Sequence, residues 1–389
     1  MPIVKEVYLC TCINQKFKKM KKNLQNALLL AMGLMTTVTF AQDWDVDSRT
    51  RIDMGGDYDK METAQRATLG ATWGGSDWGI HASTVVNYDL GEAPATLSVY
   101  EAYASTDLMG YATVTMGRQA LNYGSGLLIG NNEWGDRTEN TRDAFVFDLG
   151  LDMADVTLGY QSRMNGDSLT TGGTGYYLNA AKADGDWSAN LLYGSQTGTV
   201  ADVDLDATTY MGLDLSYAMM GGSLSLDVSY NTVTDAMMYD MSGAEPVYVG
   251  RADLDMNSIG ATYNVNDDMT ISATQTSYGE NGFNLEGGNA GAYGTDSWTS
   301  HGNMGHLGAN QKDLAIGGTY AMGGFNLGVT MHTVTDETVG AEDYERSAME
   351  MSLGYSMSDN AGLSINYATD NNGGDTDTKY TWLTLTVTP

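Results

Sequence analysis

From residue 46 onwards the chain runs in segments of roughly ten residues in which apolar and polar side chains alternate, the period of a strand with one face in apolar surroundings. In 223–232, Leu224, Leu226, Val228 and Tyr230 take one face and Ser225, Asp227, Ser229 and Asn231 the other. The period recurs in 325–334, where Phe325, Leu327, Val329 and Met331 oppose Asn326, Gly328, Thr330 and His332. It returns in 346–356, where Met349, Met351, Leu353 and Tyr355 oppose Glu350, Ser352 and Gly354. Eighteen strands are predicted: 46–53, 64–73, 78–88, 97–106, 111–118, 142–149, 153–162, 176–183, 187–195, 208–217, 223–232, 255–265, 269–278, 312–320, 325–334, 346–356, 361–368 and 378–387.

The connections alternate between tight and long. Tight turns are read at 74–77, 107–110, 184–186, 218–222, 266–268, 321–324 and 357–360, and long links include 119–141, 233–254 and 279–311. Short periplasmic turns and long extracellular loops give an outer-membrane barrel this asymmetry, whereas a soluble sandwich has no reason to keep it. Aromatic residues gather beside the tight turns: Trp73, Trp78, Tyr111, Trp187, Tyr217, Tyr263, Tyr320, Phe325 and Tyr355, as in an interfacial girdle. The predicted fold is an all-β transmembrane antiparallel β-barrel of eighteen strands, one domain over 42–389, in the bacterial outer membrane. Its partners are then outer-membrane lipid and lipopolysaccharide, the barrel-assembly machinery and the solutes that pass; monomer and trimer both remain open.

The N-terminus reads as a signal peptide over 1–41. Lys18, Lys19, Lys21 and Lys22 precede an apolar stretch over 27–35, and Thr39, Phe40 and Ala41 supply a cleavage site. The apolar stretch is too short for a spanning helix, which needs about 20 such residues. Met20 offers a second start, which would place 1–19 outside the signal. Both cysteines, Cys10 and Cys12, lie in this segment, so the mature chain has no thiol for a disulfide, a metal site or a nucleophile.

After Ala41, 13 Lys+Arg (19 minus 6) face 48 Asp+Glu (49 minus 1), a net charge of −35 against −30 for the full chain. That balance disfavours nucleic acid as a partner. Abundant Gly and Tyr with only 4 Pro suit a large antiparallel sheet.

Strand phase turns Arg49 and Arg51 inward, opposite Val46, Thr50 and Ile52, and Arg66 inward, opposite Ala67, Leu69 and Trp73. It turns Arg163 inward opposite Val156, Leu158 and Tyr160, and leaves Arg142 ambiguous, since Arg142 shares a face with Val146 and opposes Phe145. An arginine at lipid depth costs about 2 to 4 kcal/mol, which favours the lumen for all of these and for Arg118. A basic wall would then face inward acids such as Asp214, Asp227 and Glu350, with Glu133, Asp136 and Glu139 on the loop after the fifth strand. This points to a passive channel for anionic solutes and not to an enzyme; a general porin, and a surface adhesin or secretion-complex barrel that does not conduct, remain open. His301 and His306 share a glycine-rich loop that fixes no metal geometry, and Asp202, Asp204 and Asp206 read as a solvated acidic loop. No cofactor is implied. His332 near Asn326 has no serine partner that would make it a hydrolase.

Gly117-Arg118-Gln119, Tyr123-Gly124, Leu128-Ile129-Gly130, Trp134, and Arg142 followed by Asp143-Ala144-Phe145 stand in an order that resembles the alginate-export family of outer-membrane channels. The resemblance implies a barrel of eighteen strands whose arginine-rich lumen passes a polyanionic polysaccharide such as an acidic sugar polymer. It makes Arg118 and Arg142 lumen arginines and places Tyr123 to Trp134 in a loop that folds near the pore. The chain departs from that family in its shorter loops, its more acidic balance and an end at Val387-Thr388-Pro389 in place of a terminal aromatic, leaving Trp382 or Tyr380 for the assembly signal.

Overall fold

The computed structural model describes residues 41–388 apart from 55–61, 92–94, 132–140, 163–169, 172–173, 198, 201–202, 205, 241–246, 284–306, 339–343 and 372. The signal-peptide expectation therefore falls outside the described residues, as do Glu133, Trp134, Asp136, Glu139, Arg163, Asp202, His301 and His306.

Eighteen long strands form one antiparallel sheet. They are β1 (Ala41–Asp53), β2 (Glu62–Gly74), β3 (Trp78–Asp89), β4 (Thr96–Asp107), β5 (Thr113–Gln119), β6 (Arg142–Leu151), β7 (Ala154–Ser162), β8 (Thr174–Asp184) and β9 (Trp187–Gln196). The second half comprises β10 (Thr208–Met219), β11 (Leu224–Asp240), β12 (Val247–Asn266), β13 (Met269–Tyr278), β14 (Gln311–Met322), β15 (Phe325–Asp336), β16 (Glu345–Ser358), β17 (Ala361–Asp370) and β18 (Thr378–Val387). Each pairs with the next, and β1 pairs with β18 from Ser48↔Val387 to Asp53↔Trp382, so the sheet closes and has no free edge. A small three-stranded sheet of two-residue pieces (Thr170–Thr171, Thr199–Val200, Val203–Asp204) stands apart from the wall.

The turn asymmetry is as expected. Eight connections between consecutive strands span two to five residues and alternate with nine longer ones. One long link is corrected: 233–254 is mostly strand, because β11 and β12 stay paired up to Asp240↔Val247. Asp235 sits at φ 56 and the register shifts between Val233 and Ala236 and again between Met238 and Tyr239, so the alternation of 223–232 changes phase there and stops being readable. The fifth strand also starts two residues later than expected, leaving Tyr111 in the turn, where its amide donates to the Leu108 carbonyl.

Register and exposure fix the two faces. Along Trp78, Thr106, Val114, Phe147 and Leu158, and along Phe325, Tyr355, Leu363 and Leu385, paired residues share the outward phase, and the large apolar members of the wall are exposed on it. The expected girdle stands at the tight-turn end, with Trp187 opposite Tyr217 and Phe325 against Tyr355 at 4.6 Å between ring centroids. A second, sparser belt at the long-link end carries Tyr88, Tyr160, Tyr176 and Tyr193, all exposed. An apolar band between two aromatic belts is what a bilayer requires of a spanning barrel, and no helix among the described residues is long and apolar enough to cross.

The inward phase is not uniformly wet. Leu121, Leu128 and Ile129 after β5 and Phe283 and Leu307 between β13 and β14 join one buried apolar cluster with inward residues of β6 to β16, among them Val146, Leu192, Tyr210, Val233, Leu254, Val334 and Ala348. The described segment from Ala120 to Asn131 therefore lies inside the barrel on one side of it, and Phe283 and Leu307, at the described ends of the β13–β14 link, pack against the same cluster. Most inward residues of β17, β18 and β1 to β4, such as Asn366, Thr384, Arg49, Arg66, Asn87 and Glu101, are polar and line the other side, with Val85, Ala368 and Trp382 buried among them.

Candidate functional site: the inner wall and its inward segment

Arg49 on β1 lies directly opposite Arg66 on β2, and Arg51 follows on the same inward face opposite Ala64. Asn87 continues the Arg49–Arg66 row onto β3 and Asp89 continues the Arg51–Ala64 row. Arg49, Arg51, Arg66, Asn87 and Asp89 border one small cavity. Below this cluster, towards the tight turns, the inward residues of β1 are Asp47, Asp45 and Asp43. Above it stands Asp53. Among the described residues of β1 to β3 the charge is therefore layered along the axis, acid, base, acid.

The remaining expected arginines separate. Arg142 on β6 shares the inward phase of Val146, which resolves its ambiguity, but it is only 8 % exposed and donates to Gln161 Oε1 at 3.1 Å. Arg118 stands elsewhere. It pairs in register with Ala102 and Asp143, two residues beyond Met116 and Phe145, and so shares their outward phase. Its guanidinium holds Asp143 with Nε 3.0 Å and Nη2 3.3 Å from the two carboxylate oxygens. The pair lies beside Tyr160 in the outer aromatic belt, where a long side chain can keep its charge at the membrane boundary. The parity of Val114, Met116 and Arg118 carried that signal in the sequence.

The segment from Ala120 to Asn131 reaches across the interior. The Ala120 amide donates to Glu101 Oε1 of β4 at 2.9 Å, and the Ser125 amide donates to Asp214 Oδ2 of β10 at 2.9 Å. Tyr123 and Tyr177 share a hydroxyl hydrogen bond of 3.1 Å, and the segment closes on itself through Tyr123 N to Ile129 O, 3.1 Å. Burial pushes the Tyr123 phenol up to about 12, with the Tyr177 hydroxyl acting in the opposite direction. The wall is shaped to receive the segment. Tyr177 lies over Gly159 and Tyr210 over Gly194 so closely that a Cβ at either glycine would overlap the ring. Two large side chains thus lie flat against the strands and leave room for Leu128 above Gly212.

The inward acids expected on later strands are held locally. Asp227 accepts from Ser216 Oγ at 2.7 Å and Ser225 Oγ at 2.8 Å, and Asp214 accepts from Ser229 Oγ at 2.5 Å. His332 has Nδ1 2.8 Å from Asp313 Oδ2 and Nε2 3.3 Å from Glu350 Oε1, so carboxylates flank both ring nitrogens. Sequence reading missed the buried ion pair of Arg346 on β16 with Asp370 on β17, with Nε 2.9 Å from Oδ1. It also missed the role of Glu101 and Asp214 in holding the inward segment, because a carboxylate accepting backbone N–H groups far along the chain leaves no local pattern.

The fold resembles solved outer-membrane proteins of Pseudomonas aeruginosa. OccK1 (OpdK) superimposes with a TM-score of 0.68 at 14 % identity, with 90 % of this chain and 100 % of that one covered. OccK11 (OpdR) gives 0.63 at 16 % identity over 89 % and 95 %, and OprD 0.61 at 13 % over 91 % and 95 %. No family model and no curated protein matches the sequence, so the alginate-export resemblance stands on its short motif over 117–145 alone. Closure, apolar band and paired belts make the chain an outer-membrane β-barrel of eighteen strands.

Proposed function

We propose that the barrel is a passive channel for small solutes that favours anions, with Arg49, Arg51 and Arg66 as its selecting residues. The observation that carries this is the Arg49–Arg66 pair, two like charges held opposite each other on the inner wall, on the side that the apolar fill leaves polar. Two cations on one row of the inner wall concentrate positive potential at that level, which draws an anion to it. The acids above and below keep the attraction local, so an anion is drawn to one level and released from it, the condition for passage.

Arg142, covered by the inward segment, supports that segment and its tyrosines and does not meet the solute. Arg118 faces the membrane and takes no part in selection. The inward segment after β5 narrows the lumen, which favours small carboxylated solutes, acidic sugars among them, over a polymer. One structural neighbour, OpdK, is solved with vanillate, and a small carboxylate of that kind is a fitting first probe. The layered acids also support a second reading, a general porin of weak preference.

Liposome swelling separates the two. Proteoliposomes should swell faster in a monocarboxylated sugar than in the neutral sugar of the same size. Equal rates would favour the general porin, and no swelling in either would leave a barrel that serves adhesion or secretion.

A further inference from the structure

We propose that Asp214 determines the bore of the channel by bolting the inward segment to the wall; this rests on the channel reading above. Asp214 is four strands beyond β6, the strand the segment leads into, so its bond to Ser125 is a chord across the interior rather than a local turn. The carboxylate is aimed before the segment arrives. Asn231, 1 % exposed, donates from Nδ2 to Ser229 Oγ at 2.9 Å, and Ser229 Oγ donates to Asp214 Oδ1 at 2.5 Å, which leaves Oδ2 turned to the Ser125 amide at 2.9 Å. A hydrogen bond to an ionised acceptor is about twice as strong as a neutral one.

The segment is cut to meet it. Gly124 sits at φ 57, and a Cβ there would fall 2.1 Å from Asp214 Oδ2 and 2.6 Å from Asn190 Nδ2, so only glycine lets the backbone come this close. Leu128 makes the second seat, against Gly212, where a Cβ would lie 2.9 Å from its Cδ1. With Glu101 holding Ala120 at the start, the segment is fixed at both ends of its inward reach. Apolar packing gives it a place, the Tyr123–Tyr177 hydroxyl bond adds a neutral contact, and Asp214 is the charged contact that stops it swinging back towards the mouth.

The test compares Asp214→Ala with Asp214→Asn, each refolded and checked for heat-modifiable mobility as the mark of a closed barrel. Both remove the charge, but asparagine keeps an oxygen that can accept from Ser125. Single-channel conductance should rise about two-fold or more in the alanine variant and stay near wild type in the asparagine variant. The rise should persist at about 1 M salt, where a purely electrostatic change is screened out. Equal changes in both variants that fade at high salt, or no change in either, would overturn the proposal. Chymotrypsin gives a readout independent of conduction: cleavage at Tyr123, Leu127 or Leu128 should appear in the alanine variant only. If wild type never conducts yet that cleavage pattern holds, the bolt stands and the channel reading falls; if the alanine variant is as resistant as wild type, the bolt falls.

Discussion

Arg49 and Arg66 face each other across the β1–β2 hairpin on the inner wall of the barrel, two cations in direct register where an alternating charge pair would be the cheaper choice. Their neighbours along β1 place acids above and below, so the positive potential is confined to one level of the wall.

Arg118 separates the register from the motif. Because it shares the outward phase of Met116 and is tied to Asp143, Arg118→Ala should leave ion preference unchanged in planar bilayers. Its side chain is a quarter exposed, and a boundary ion pair of this sort contributes roughly 0 to 1 kcal/mol, so the thermal midpoint should move little. A clear shift of reversal potential towards cations would put Arg118 back in the pore.

Arg346 and Asp370 form an enclosed ion pair of the wall. Asp370 is fully buried, so Arg346→Ala strands a charge and should destabilise the barrel by about 3 to 5 kcal/mol in reversible urea unfolding in vesicles. Arg346→Met with Asp370→Leu should recover most of that loss. Equal stability of the single variant and wild type would show that the pair is not enclosed.

Tyr123 gives the inward segment an alkaline limit. Its phenol is raised to about 12 by burial, so the fold favours the neutral form. The contribution is fully present below the ordinary tyrosine value of 10.0 and is lost as pH rises through about 12. Difference absorbance between wild type and Tyr123→Phe should show a phenolate titrating in that upper range, with chymotryptic access to the segment rising alongside. Titration of Tyr123 at the ordinary value would mean that the segment does not bury it.

The wall was legible because a barrel in lipid imposes a local rule: each strand must alternate, and each turn end must differ from the other. Leu224 to Tyr230 announces a strand without knowledge of its neighbours. The rule fails at Asp235, where a positive φ shifts the phase and hides the continuation of the β11–β12 hairpin. Arg49, Arg51 and Arg66 could be placed inward because their strands have clear apolar partners. For Arg118 the parity with Met116 was present, but the cost of charge in lipid argued the other way, and the escape at the belt beside Tyr160 is visible only once the strands are registered. The interior was the least legible part. That Leu128 seats on Gly212, or that Asp214 waits for Ser125, depends on residues far apart in the chain whose own strands give no sign of each other.

The reversal potential under a salt gradient, measured for wild type and for Arg49→Ala with Arg66→Ala, tests the central claim most directly. Lumen charges act at short range and survive physiological ionic strength, where the screening length is about 8 Å, whereas the acidic excess carried on outer links is largely screened. Wild type should prefer anions despite the −30 net charge of the chain, and the double variant should lose that preference or turn to cations while its barrel stays closed. A folded double variant with the ion preference of wild type would contradict the account.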